Sequence, residues 1–187
     1  MERLIRWILP IFILGILTSC ATLSKNECLE ANWFEIGRRD GITGKPRSLF
    51  QQHHKACLEY GVNGDREAYF RGREAGLKAY CTYETGFNQG RLNRAYGYVC
   101  PPNLEPNFLS GYAKGQEIYR YNKKVALLEK RRKSIENQIK DLEKQMYSSH
   151  LSDEKRIQIR SDLKDLDIQY RDVVRELRHQ ERMRPAG

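Results

Sequence analysis

Hydrophobic positions fall into three regimes along the chain, and each predicts a different element. An unbroken apolar run from Trp7 to Leu17 follows a short start that carries Arg3 and Arg6. At about a dozen residues it is too short to span a bilayer comfortably, and it has the size of a signal-peptide core. From there to Gln116, apolar residues are interleaved with glycines, aromatics and cysteines. Beyond Gln116 the pattern changes to steps of three and four: Ile118, Tyr121, Val125, Leu128, Ile135, Ile139, Leu142 and Met146, with Arg132 filling one slot. That periodicity predicts a helix with a coiled-coil seam. A second series, Ile159, Leu163, Leu166, Tyr170, Val173 and Leu177, does not continue the first register. Extending the first would place Asp153, Arg156, Arg160 and Asp167 in the apolar seam. Ser152 followed by Asp153 and Glu154 is suited to cap a new helix. The pattern therefore predicts an antiparallel helical hairpin over 117–187, each arm about thirty residues or roughly 45 Å at 1.5 Å rise per residue. Two strands alone bury little apolar surface, so self-association or a partner strand along this hairpin is an expectation.

The middle regime carries an internal pattern, an aromatic followed by glycine three and seven positions later. It occurs as Phe34, Gly37, Gly41; Tyr69, Gly72, Gly76; Tyr83, Gly86, Gly90; and Phe108, Gly111, Gly115. Residues four apart share one face of a helix, so each copy presents a bare glycine stripe with an aromatic one turn earlier. In a membrane such a stripe is a helix-pairing signal. Here the flanking charges (Arg38, Arg39, Asp40; Arg71, Arg73, Glu74) exclude a lipid-embedded helix. The copies therefore predict short soluble helices packed tightly against one another, and the fold class is all-α. Each helical glycine costs roughly 1 kcal/mol relative to alanine, so such a domain needs reinforcement.

The cysteines supply it. Besides Cys20, four remain: Cys28, Cys57, Cys81 and Cys100. An even number in an exported chain suggests a disulfide framework, with three connectivities open. Cys28 and Cys57 bracket the first glycine copy, and Cys81 and Cys100 bracket the third. Local closure of each unit, Cys28 with Cys57 and Cys81 with Cys100, is the preferred pairing. Zinc is the competing use of four cysteines, but no Cys-x-x-Cys pair is present, and no metal is expected.

The end of the opening apolar run, Leu17-Thr18-Ser19-Cys20, resembles the lipobox of bacterial lipoproteins. The resemblance implies a signal peptide over 1–19, cleavage before Cys20, a diacylglyceryl thioether on its sulfur and acylation of the new amine. The mature protein is then held to a lipid bilayer through Cys20. Ala21 follows that cysteine; by resemblance to enterobacterial sorting, this implies the outer membrane, facing the periplasm, with the inner membrane as the alternative.

Losing Arg3, Arg6 and Glu2 with the leader lowers the formal charge from +9 to +8, so the mature chain stays basic. Outside the cytoplasm that charge suits anionic headgroups, cell-wall polymer or acidic proteins, and no nucleic-acid reader motif is present. Candidate chemistry is sparse. His53-His54 with Asp40 or Glu59 is the nearest approach to a metal or acid/base cluster, yet adjacent helical histidines point about 100° apart and serve more readily as structural groups. No serine-triad spacing, zinc-protease motif or phosphate-cradling loop is present. Asp40, beside Gly41, is expected to bond locally. A Tyr/Arg set, Tyr69, Arg71, Arg73, Tyr83, Arg91 and Arg94, forms a candidate binding surface for cell-wall sugar or peptide, the residue types that interfaces favour. The other reading places these tyrosines in a small core with hydroxyls at its rim. The leading expectation is a non-enzymatic structural or interaction protein of the envelope, without a cofactor.

Several motifs interlock in order: Asp40-Gly41-x-x-Gly44, Gly72-x-x-x-Gly76-Leu77-x-x-Tyr80-Cys81, Val99-Cys100-Pro101 and Phe108-x-x-Gly111-Tyr112-x-x-Gly115. Over about residues 26 to 121 the chain resembles the DUF2799 family of proteobacterial lipoproteins, whose function is not established. The resemblance implies a disulfide-linked helical domain behind a lipobox, trailed by a coiled-coil tail; the change of composition near Gln116 sets that domain at 20–116. It brings no catalytic residue.

Overall fold

A computed structural model describes residues 22–148 and 150–185, and the described residues form seven helices and no strand. The helices are α1 (Lys25–Leu29), α2 (Trp33–Ile42), α3 (Leu49–Leu58), α4 (Arg66–Tyr80), α5 (Tyr83–Arg91), α6 (Glu105–Met146) and α7 (Asp153–Arg182). Side-chain caps start most of them. Ser24 and Glu27 close a capping box on α1, Asn32 accepts from the Glu35 N–H, Asp65 from Ala68 and Thr82 from Thr85. Ser152 caps α7 by accepting from the Lys155 N–H, with Asp153 and Glu154 in the first turn, as its sequence predicts. Each cap satisfies an N–H that the helix cannot.

The four glycine stripes pair off in two units. In the first, α2 and α4 meet in parallel and in register. A methyl group on Gly37 would overlap the Tyr69 carbonyl, and one on Gly72 would overlap the Phe34 carbonyl. A turn later, a methyl on either Gly41 or Gly76 would lie 3.0 Å from the other glycine's Cα. The second unit repeats this with α5 and the start of α6: Gly86 faces the backbone of Phe108 and Tyr112, while Gly111 faces that of Tyr83 and Phe87. Gly90 and Gly115 complete the seam against Tyr112 and Phe87. Backbone-to-backbone approach of this kind admits Cα–H···O=C contacts and leaves no room for a side chain.

Parallel neighbours need a crossover that returns the chain to its start. In the first unit α3 and its flanking turns are the crossover, and Cys57 on α3 is bonded to Cys28, with the Cα atoms 5.2 Å apart. In the second, the loop after α5 does this work, and Cys100 on that loop is bonded to Cys81, with the Cα atoms 5.7 Å apart. Each bridge thus joins the segment before the first helix of a pair to the crossover before the second. The loop also holds the two left-handed non-glycine residues among those described, Asn93 and Tyr98. The first unit encloses Leu23, Cys28, Trp33, Ile36, Phe50, Cys57 and Tyr69. The second centres on fully buried Phe108 with Cys81, Cys100 and Leu77 of α4, so the units abut.

The compositional change at Gln116 falls inside α6, which runs unbroken through the boundary between 116 and 117. The helix that completes the second unit is therefore also the first arm of the hairpin. Its 42 residues span about 63 Å. α7 returns antiparallel: the Arg156 guanidinium donates to the Met146 carbonyl, Tyr170 OH to Glu136, and Lys124 faces Glu176. Leu128, Ile135, Leu166, Val173 and Leu177 form the buried seam, the positions marked by the three-and-four spacing.

Candidate functional site

Three places were marked by the sequence for chemistry: the Asp40–His53 neighbourhood, the Tyr/Arg set and Cys20. Asp40 lies on the inner face of α2 and is buried, as are His53 on α3 and Tyr69 on α4. One carboxylate oxygen, Oδ2 of Asp40, takes both partners: Tyr69 OH donates to it over 2.7 Å and His53 Nε2 over 2.9 Å. The other ring nitrogen, Nδ1, meets the Thr22 hydroxyl at 2.8 Å. With a carboxylate at Nε2, that nitrogen carries a proton and donates it. Burial pushes the Asp40 carboxyl up, but hydrogen bonds from His53 and Tyr69 outweigh it, and the group sits below the ordinary aspartate range. Burial first, and the Asp40 acceptor second, push the Tyr69 hydroxyl far up. Both groups are thereby fixed in their ordinary charge states. Asp40 does not bond locally, as its place beside Gly41 predicts; the α2–α4 seam turns it inward, where it ties three helices together.

Arg73, one turn after Tyr69, is only 6% exposed. Its guanidinium donates to the Lys45 carbonyl over 2.8 Å, and its Nε has no hydrogen-bond partner among the described residues. Burial lowers its pKa. His54 stacks on Phe50 and accepts from the Gly64 N–H. No group of three or more His, Cys, Asp or Glu residues is placed to hold a metal among the described residues.

The Tyr/Arg set does not form one surface. Tyr69 is fully buried and Arg73 nearly so, because the glycine seam draws their turn of α4 against α2; both belong to the core and not to a binding face. Arg71, on the opposite side of α4, is exposed and pairs loosely with Glu67. Tyr83 stacks on Phe87 along α5, Arg91 donates to Asn88, and the Arg94 carbonyl accepts from Tyr112 OH. Tyr96 illustrates the rim reading of the tyrosines. Burial raises its pKa, the Cys100 N–H it accepts opposes this, and its bond to Glu105 raises it further, to about 12. Concavities among the described residues lie elsewhere: an open groove of about 470 Å³ between α1 and α2, lined by Glu27, Glu30, Glu35, Arg38, Arg39 and Ile42, a smaller one beside Arg47, Phe50, Arg66 and Phe70, and open grooves along the hairpin. Cys20 lies outside the described residues, and no described helix is long and apolar enough to cross a membrane.

Two parallel glycine-seamed helix pairs, each with a disulfide-bound crossover, define the class: an all-α, disulfide-reinforced domain continued by a helical hairpin. Residues 32–117 match the family described as protein of unknown function (DUF2799). The match spans α2 to the start of α6 and so takes in both glycine pairs, while the hairpin lies beyond it. No curated protein and no solved structure matches the chain.

Proposed function

We propose that this protein is a lipoprotein of the cell envelope, acylated on Cys20 and held to the outer membrane, that acts as a non-enzymatic structural or interaction component. The observation that carries the reading is the contrast between its two parts. The polar cluster at Asp40, His53 and Tyr69 is sealed in the core, where it binds helices together and leaves no open nucleophile or base. The hairpin, by contrast, projects long charged faces beyond the disulfide domain. Its second arm carries Arg171, Arg175, Arg178 and Arg182 along one groove. Such a surface suits an acidic protein or an anionic envelope polymer.

In-cell crosslinking of the tagged full chain, compared with one ending at Tyr121, tests this. A specific partner band lost on truncation is the expected result. A band to the same partner, of unchanged intensity and lighter only by the deleted residues, would move the contact to the disulfide domain and contradict the role given to the hairpin.

A further inference from the structure

Between Cys20 and Thr22, the first described residue, there is almost no chain. Thr22 is hydrogen-bonded to the buried His53 ring, and Leu23 is 1% exposed, packed among Cys28, Trp33 and Cys57. Two residue steps separate Cys20 from Thr22, at most about 7 Å of extended backbone. An acyl anchor on Cys20 therefore holds the first unit directly against the lipid and selects the face that meets it.

That face surrounds the Cys28–Cys57 bridge, beside which Leu23 enters the core. Leu29 and Leu58 follow the two bonded cysteines, so they project from neighbouring points, and they are 56% and 47% exposed. Tyr60 donates its N–H to the Cys57 carbonyl and is 38% exposed, with the Lys25 ammonium 6.0 Å from its ring. Exposed leucines beside a tyrosine and a lysine are the composition of a membrane interface: apolar tips enter the acyl boundary while the hydroxyl and ammonium stay at headgroup level. The nearby charges are mixed, Lys25 and Lys55 against Glu27, Glu30 and Glu59. The match is therefore apolar and does not depend on anionic lipid.

We propose that Leu29, Leu58 and Tyr60 form the face on which this protein rests on its phospholipid bilayer. The proposal rests on the reading of Cys20 as acylated and adds to it an orientation. The test is a photoreactive benzoylphenylalanine placed at Leu29, at Leu58 or, for reference, at the exposed Leu127 of the hairpin, in the full chain in cells. Mass spectrometry after irradiation reads lipid adducts together with the acylation state of Cys20. Phospholipid adducts at positions 29 and 58 and none at 127 are expected, and the same pattern in reconstituted vesicles of purely zwitterionic phosphatidylcholine. An acylated Cys20 with adducts no more frequent at 29 and 58 than at 127 would overturn the orientation alone. Adducts that appear only when anionic lipid is added would overturn the apolar match. An unacylated Cys20 would instead remove the anchor, and the orientation with it.

Discussion

A methyl group on Gly37 or Gly72 would overlap a carbonyl oxygen of the facing helix, and that overlap decides the sign of the substitution. Alanine regains roughly 1 kcal/mol of helix propensity, but wedging apart a close-packed seam costs about 1–3 kcal/mol, occasionally more. Since the obstacle is backbone and cannot rotate away, Gly37→Ala and Gly72→Ala should each lower stability in urea melts by about 2 kcal/mol. Gly97→Ala, whose methyl would meet only Val99 at 3.6 Å, should be close to neutral; an equal loss at both sites would contradict the seam. Removing the Tyr69 hydroxyl by Tyr69→Phe deletes one of two donors to a buried carboxylate and should cost about 1.5–3 kcal/mol. The Asp40 carboxyl sits below its unfolded value, so its contribution is present above about pH 3.9 and is lost as pH falls through the folded value. Thermal melts should therefore lose stability below that pH more steeply in the parent than in Asp40→Asn. The stripe of glycines was legible because it repeats at helical spacing. Of the buried cluster, Asp40 beside His53 was marked in the sequence as one of two options, but Tyr69 was not, since it lies 29 residues from Asp40 and only the packing of α2, α3 and α4 brings them together. The signal that could have found Tyr69 is its place at the head of a glycine stripe, where a buried hydroxyl must find a partner.

At the level of elements, the repeated motif announced close-packed helices, and the broken register announced the hairpin. What the pattern left open was which stripe meets which, and in what direction. The structure pairs successive copies in parallel, an arrangement that obliges each unit to carry a crossover, and both disulfides reinforce that crossover. Loops of this length give bridges worth about 3–4 kcal/mol each in the chain-entropy account. Replacing Cys28 and Cys57 together with alanine should lower stability by that amount in denaturant melts, and replacing Cys81 and Cys100 should cost about the same. A bridge whose removal left the melt unmoved would show that its crossover is held by packing alone. The abrupt change in composition at Gln116 also suggested a joint, yet α6 passes straight through it. Composition there records a change of neighbours, from a glycine-lined helix to a coiled-coil arm, while the backbone hydrogen bonds continue. Ile135 is buried in the hairpin seam, so Ile135→Ala should cost about 2–5 kcal/mol, seen as faster amide exchange along both arms.

For the molecule as a whole, the shared helix matters most. The disulfide domain and the hairpin are joined by α6 without a flexible linker, so a body held at the membrane would present its hairpin in a set direction. Thr22 and Leu23 bring the other end of the domain to within two residues of Cys20. The fold and the charged hairpin thus form one continuous body, and the membrane attachment proposed for it depends on the chemistry at Cys20. The most direct measurement is intact-mass and N-terminal peptide analysis of the protein recovered from cell membranes, beside a Cys20→Ser variant. A mature chain that begins at Cys20 and carries diacylglyceryl and amide-linked acyl groups is expected, with the variant unacylated and its leader uncleaved at that position. A parent chain that keeps its leader, or is cut elsewhere and bears no lipid, would contradict the proposed attachment.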